Sequence, residues 1–475
     1  MRKAVIFLIS TILLITSFAI SVSAKTVLEE GNAVWSVEGD TLTVSGTGTT
    51  NSELPQNAAW RKTITKIVVE NGITEIGEQA FSGCERVTEI ILPASVSYIS
   101  QNAFSYCTSL TDIELPDSLS VISFQAFYGC ESLKSIELPS KITAIEAAAF
   151  QNCKSLTSMS IPETVTKIGY GIFDGCESLS SVNIPEGIKN IGYCTFRNCK
   201  SLTEIKLPES VKVLEYGVFY GCENLTSVNI PSSIDKLNIQ TFYGCKSLEK
   251  LELPENLKTI SYQVFENCEK LKEIKLPDGL KNLLYGAFLN CFSLEEITVP
   301  SGVRVIEERA FAGCKSLGTV TLNEGLVKID EDAFADCESL RSIKIPDSVN
   351  EMGKGVFKDC ESLEQAYIGG GMVKLETDIF KGTALTDIYY PMTENDWKKI
   401  VLAEKKDYEE LTIHYEATEL PKLADKPAEV VEESEDKVNL LPIILICAAV
   451  VICACSAVVA AVAISRKKKK AKTSE

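Results

Sequence analysis

Histidine is nearly absent from this 475-residue chain; the single one is His414. That scarcity removes the side chain from which most catalytic triads, imidazole metal sites and general bases working near neutral pH are built. His414 stands beside Ile413 and Tyr415 with no nucleophile arrayed around it, and it reads as a structural residue. A phosphate-cradling glycine loop, a dinucleotide fingerprint and a zinc signature are missing as well. Calcium-loop carboxylate spacing and C-x-x-C pairs are also lacking. The expectation is therefore no enzyme, no cofactor and no metal. Positive charge is scarce too, with 47 Lys and Arg against 65 Asp and Glu. The two ends hold +2 and +5 of the net −18, which leaves −25 on residues 25–439. So acidic a surface disfavours nucleic acid and anionic lipid, and no nucleic-acid partner is expected.

Cysteine, by contrast, is abundant and strictly spaced. Thirteen cysteines recur every 23 residues from Cys84 to Cys360, without one insertion or deletion. Fourteen phenylalanines keep the same period from Phe81 to Phe380. Such a register marks stacked identical coils. Counting each cysteine as position 0, apolar residues recur at positions 3, 6, 8, 12, 15 and 20. After Cys199 these are Leu202, Ile205, Leu207, Val211, Leu214 and Phe219. The alternation from Leu202 to Leu207 predicts a short strand. Proline at position 9 in eleven of thirteen units ends it, having no N–H to continue a ladder. A second extended piece, V-x-x-L/I, comes next, and a tight turn returns to Phe and Cys. One coil alone cannot bury enough surface to offset its ordering entropy, so stacking is obligatory and both ends need caps.

The caps are expected at residues 25–63 and 392–415, around repeats at 64–391. Trp35 to Val44 reads as a hairpin turning at Gly39-Asp40. Arg61 takes the cysteine slot before the first full coil, and Thr383 takes it after the last. Thr393-Glu394-Asn395-Asp396 predicts a capping box opening a short helix through Trp397 and Ile400.

The unit C-x-S-L-x-x-I-x-L-P-x-x-V-x-x-I-x-x-x-A-F resembles the BspA-like class of leucine-rich repeats, found on the surfaces of bacteria and some protozoa. Cys130-Glu131-Ser132-Leu133 through Ala149-Phe150 lies close to that consensus. Trp35 to Gly48 and Tyr389-Tyr390 with Trp397 resemble the flanks of that family. The resemblance implies a curved β-solenoid, mainly β with short turns and 3-10 segments, and a role in binding or adhesion. It implies no catalytic activity.

Residues 1–24 read as a secretory signal: Arg2 and Lys3, an apolar stretch, then Val22-Ser23-Ala24. Residues 440–464 are an uncharged apolar run long enough for a transmembrane helix, followed by the basic tail 465–475. The positive-inside rule then predicts a single-pass type I protein in the cell membrane with its repeats outside. Residues 416–439 are acidic and proline-containing, the composition of a disordered linker. Cysteine outside a cell usually means disulfides. Thirteen equivalent inward positions give no preferred pairing, however, so buried free thiols acting as small apolar fillers are expected.

Two exposed rows are candidates for binding. Positions 5 and 7 flank the inward residue of the strand and run from Asp112/Glu114 through Ser181/Asn183 to Glu273/Lys275. Position 17 carries Phe124, Ala147, Tyr170, Tyr193, Tyr216, Ile239, Tyr262 and Tyr285, then turns to Glu308 and Glu331. Tyrosine suits protein contacts and stacking on sugar rings. The aromatic members, Phe124, Tyr170, Tyr193, Tyr216, Tyr262 and Tyr285, are either a ligand-binding stripe or rings packed on the next coil. Tyr128, Tyr220 and Tyr243 stand two residues before their cysteines and could flank it. The leading expectation is a surface adhesion protein that recognises an extracellular protein, another cell or a glycan. A structural stalk or envelope-coat component and a glycan-capture protein are the alternatives.

Overall fold

In the computed structural model of the chain, residues 26–30, 32–50 and 59–423 are described. The expected signal, transmembrane run and basic tail, and most of the linker, lie outside them. Among the described residues no helix is long and apolar enough to cross a membrane.

Each 23-residue period forms one coil of a β-solenoid, and backbone hydrogen bonds join successive coils along three sides. On the first side, positions 5 and 6 pair in parallel, as Ser158–Met159 does with Ser181–Val182. The pairing is longest where Glu296–Val299 meets Thr319–Leu322. On the second side positions 14 and 15 pair likewise, through eight successive strands from Lys236–Leu237 to Val401–Leu402. The third side contains no strand. There the N–H groups of positions 18, 20 and 22 donate to the carbonyls of positions 17, 19 and 21 of the following coil. Gly171 donates to Tyr193 at 2.7 Å, Phe173 to Thr195 at 3.1 Å and Gly175 to Arg197 at 2.8 Å. Positions 18 and 22 are left-handed in every coil from Gln79 to Gly382, with φ between 52° and 75°. Glycine, asparagine or aspartate fills position 22 everywhere except Tyr106, the residues that reach this region most cheaply.

The inward positions behave as the period predicts. Leu202, Ile205, Val211, Leu214, Phe219 and Cys222 are all buried. Position 8 is less regular: Leu207 is buried, whereas Leu92, Leu115, Leu138 and Leu253 are half-buried, because this residue stands at the corner leading into the proline turn. The fourteen phenylalanines stack ring on ring, with neighbouring centroids 5.0–6.1 Å apart and planes within 17°. All fourteen described cysteines carry free thiols. From Cys107 to Cys360 each ladder thiol donates to the carbonyl of the phenylalanine 26 residues earlier, at 3.1–3.4 Å.

Aromatic residues close both ends of the phenylalanine ladder. At the start, strands Ala33–Glu38 and Thr41–Gly46 form the expected hairpin, with Glu38 opposite Thr41. The second of these strands pairs in parallel with Lys66–Val69 of the first coil. Trp35 covers Phe81 at 5.4 Å and meets Trp60 at 6.1 Å. Arg61, in the first cysteine slot, is buried and donates to the Ser82 carbonyl at 2.8 Å. At the other end Thr393 and Asp396 form the capping box of a helix over Glu394–Trp397, which stops before Ile400. Trp397 and Tyr408 pack in edge contact, and Tyr408 closes over Phe380. The chain then extends both β ladders once more through Val401–Leu402 and Thr412–His414, strands that the lapsed period of the C-terminal segment does not announce.

Candidate binding surface

The sixteen residues at positions 5 and 7 from Asp112/Glu114 to Glu273/Lys275 are all exposed, as the alternation requires. Two shallow grooves lie on this face. One, of about 660 Å³, is lined by Asp112, Glu114, Asp117 and Glu137. The other, of about 560 Å³, lies among Lys250, Glu252, Glu273, Lys275 and Glu296. Asn183 and Asn229 have a structural task on this face. The Asn183 Oδ1 accepts from the Ile161 N–H and its Nδ2 donates to the Ile161 carbonyl, both at 2.8 Å. Asn229 does the same for Leu207, so each side-chain amide stands in for a peptide of the ladder.

The tyrosine stripe is raised on the third side, at the residue whose carbonyl receives the inter-coil bond from position 18. Tyr170, Tyr193, Tyr216 and Tyr262 are 54, 53, 38 and 44% exposed. Phe124 and Tyr285 are half-buried, and the Tyr285 hydroxyl accepts from Arg309. Among the described residues no ring–ring contact engages the four exposed tyrosines. Gly169 and Gly171 bracket Tyr170, and Gly192 and Cys194 bracket Tyr193, whereas Tyr216 follows Glu215 and Tyr262 precedes Gln263. Tyr128, Tyr220 and Tyr243 behave differently. Tyr220 and Tyr243 stack on each other at 4.5 Å, and Tyr128 meets Tyr106 edge-on at 5.2 Å. Under the stripe, buried Asp174 accepts two bonds from Arg197 at 2.7–2.8 Å and one from Gln151 at 2.7 Å, fixing three coils together. Cys194, outside the register, is half-buried, and burial raises its pKa.

A second row was not anticipated from composition. Lys167, Lys189, Lys212, Lys236, Lys258, Lys281 and Arg304 follow one another at position 13 or 14, all exposed. Among the described residues none of them joins an ion pair. The lysines at position 1 contrast with these, since Lys154, Lys200, Lys246 and Lys315 each pair with a glutamate of an adjacent coil at 2.8–3.7 Å.

His414 holds Asp387 through Nε2 at 2.7 Å and stacks on Tyr389 at 4.6 Å. That hydrogen bond lowers the Asp387 carboxyl below its ordinary pKa. Among the described residues no cluster of three His, Cys, Asp or Glu side chains is arranged to hold a metal ion.

With the coil geometry established, the family model of the BspA type leucine rich repeat region matches residues 52–180, 166–295 and 281–406. The chain belongs to this family. A BspA type repeat thus accounts for the Phe and Cys ladders and for both β ladders. A leucine-rich repeat protein from Bacteroides ovatus is similar in structure, with 27% identity, a TM-score of 0.68, and 82% of this chain and 98% of that one covered. A leucine rich cell surface protein from Faecalibacterium prausnitzii matches at 21% identity, covering 80% of this chain and 98% of that one, with a TM-score of 0.39. The pneumococcal vaccine antigen PcpA matches at 20% identity, covering 82% of this chain and 98% of that one, with a TM-score of 0.41. No curated relative matches the chain.

Proposed function

We propose that this BspA type protein is a surface-displayed binding protein whose repeats mediate adhesion through the tyrosine stripe. Export by residues 1–24 and anchoring by residues 440–464 belong to the same reading. One observation carries it. Four tyrosine rings stand exposed on a backbone tied by hydrogen bonds at every coil, and none of them is used in ring packing. Rigid exposed rings lose little conformational entropy on binding, which is why such residues dominate protein interfaces. A purely structural ladder would engage them, as it engages Tyr220 and Tyr243.

The test compares cells carrying the full chain with cells lacking it, for adhesion to extracellular matrix proteins, to other cells and to arrayed glycans. Cells with the chain are expected to adhere to one of these classes. The double variant Tyr193→Ala/Tyr216→Ala should lose that adhesion while its melting temperature stays near the parent's. Equal adhesion with and without the chain would overturn the function. Equal losses of melting temperature and adhesion in the variant would return the tyrosines to a packing role.

A further inference from the structure

The lysine row and the tyrosine stripe occupy the same coils. Six consecutive coils each supply one unpaired lysine at position 13 or 14 and one tyrosine or isoleucine at position 17: Lys167, Lys189, Lys212, Lys236, Lys258 and Lys281 match the stretch from Tyr170 to Tyr285. The lysine row begins with the first tyrosine, since the preceding coil has Thr143, Ala144 and Ala147 at these places, and only Phe124 of the stripe lies earlier. The two rows end nearly together. Beyond Arg304, position 17 has become Glu308 and then Glu331, and Lys328 is paired with Asp330 and Glu351 at 3.5 and 3.6 Å. Solvation alone gives no reason for two chemically different rows to share their limits.

Parallel stacking in register keeps the tyrosine row straight, while the lysine row steps by one residue at Lys167 and Lys236, so that Lys236 lies opposite Thr259. Three or four residues separate the rows within a coil, at most about 14 Å of extended chain, which a lysine side chain reaches across in part. Of the carboxylates at position 10 of the flanking turn, Glu163, Glu186, Glu209, Glu255 and Asp278, two are engaged elsewhere. Glu209 accepts from the N–H and hydroxyl of Ser232, and Glu255 pairs with Lys275. On the rows themselves stand two carboxylates, Asp235 at position 13 and Glu215 at position 16.

We propose that the two rows together bind a linear acidic polysaccharide laid along the stacking direction, its uronate or sulfate groups on the lysines and its sugar rings on the tyrosines. The proposal rests on the reading of the protein as a binding protein with its site at the stripe. Coils repeat about every 4.8 Å, close to the length of one sugar unit in an extended polysaccharide, so one ring and one cation are offered per sugar. Pyranose faces stack on aromatic faces, and here the rings are exposed and make no ring–ring contact among the described residues. Charge density argues against duplex nucleic acid, which carries one charge per ~1.7 Å. So dense a polyanion would exceed the row and meet the remaining acidic surface.

The test uses the purified full-length chain in detergent and measures binding to polygalacturonate, chondroitin sulfate, neutral mannan and a single-stranded DNA. Lys189→Gln/Lys212→Gln and Tyr193→Ala/Tyr216→Ala are each expected to weaken acidic-polysaccharide binding about 10-fold or more. Lys154→Gln/Lys200→Gln, which changes net charge equally on the paired row, should leave it within about 2-fold. Added salt should weaken the parent more steeply than the Lys189/Lys212 variant. Polygalacturonate carries carboxylates alone and chondroitin sulfate carries both groups, so binding to the second only assigns the sulfate as the recognised group. Mannan binding that ignores the lysines, or DNA bound more tightly than either acidic polysaccharide, would overturn the proposal. So would equal loss in both lysine pairs. Binding confined to matrix proteins would overturn it and leave the adhesion function standing, whereas a chain that binds nothing in either experiment would remove both.

Discussion

Position 0 combines two demands that cysteine meets better than its neighbours in size. The slot is apolar and closed on all sides, yet the carbonyl of the phenylalanine 26 residues earlier points into it and requires a donor. A thiol is hydrophobic enough to be buried and still donates weakly. Burial has an electrostatic consequence. It pushes the Cys84 thiol up to about 11 and the Cys130 and Cys314 thiols up to about 12, against an ordinary value of 9.0. Cys107, Cys153, Cys199, Cys245, Cys291 and Cys337 are raised in the same direction by the same cause. Above pH 9 the unfolded chain releases thiol protons that the folded chain keeps. Stability is therefore complete below that pH and falls as pH rises through the window up to each folded pKa. Each thiol contributes about 1.4 kcal/mol per pH unit, so the midpoint of urea unfolding should drop steeply between pH 9 and 11. Cys130→Ala should remove one thiol's share of that slope at the cost of lower stability throughout. A slope unchanged by this substitution would show that the ladder does not ionise on unfolding. Native thiols should resist maleimide at pH 8, with Cys194 the first to react among the described cysteines.

At the level of elements, the caps matter more than the strands, many of which are only two residues long. Trp35 is buried and covers the exposed end of the phenylalanine ladder. Trp35→Ala should cost about 3–5 kcal/mol, and hydrogen exchange should show the coils nearest residue 64 fraying first, since each coil depends on its neighbours. Uniform loss of protection along the array would contradict this. The hairpin containing Trp35 and the Thr393 box were legible because both rest on local chemistry: a turn at Gly39-Asp40, and a hydroxyl three residues ahead of a carboxylate. The left-handed positions were harder to read. Position 22 shows its Gly, Asn and Asp preference, but position 18 hides it behind Gln125, Ala148, Cys194 and Arg309, which inter-coil bonds hold at positive φ. Asn183 and Asn229 read as ordinary exposed polar residues, because their partners lie in the preceding coil. The lysine row escaped notice for a similar reason. Its members are divided between positions 13 and 14, and a net charge of −25 over residues 25–439 conceals a local excess of cations.

At the scale of the whole repeat array, the coils form a one-dimensional stack, which lets stability and binding be separated by cutting out complete periods. Deleting residues 177–222 removes two coils and with them Lys189, Tyr193, Lys212 and Tyr216. Deleting residues 315–360 also removes two coils, but these contribute no member of the stripe. Either cut joins a cysteine to a position-1 residue, so the register, the phenylalanine ladder and both caps survive. Because a coil touches only the coils beside it, both deletions should leave a folded array, the first with the lower melting temperature because it also takes Arg197 from buried Asp174. Adhesion should respond differently. The first deletion should weaken it about 10-fold or more, through the loss of two rings and two cations, whereas the second should leave it within about 2-fold of the parent. If the cuts instead reduced adhesion equally, recognition would depend on the length of the array rather than on one stretch of it. The stalk reading would then fit better, because a stalk acts through its reach and is indifferent to which coils provide it.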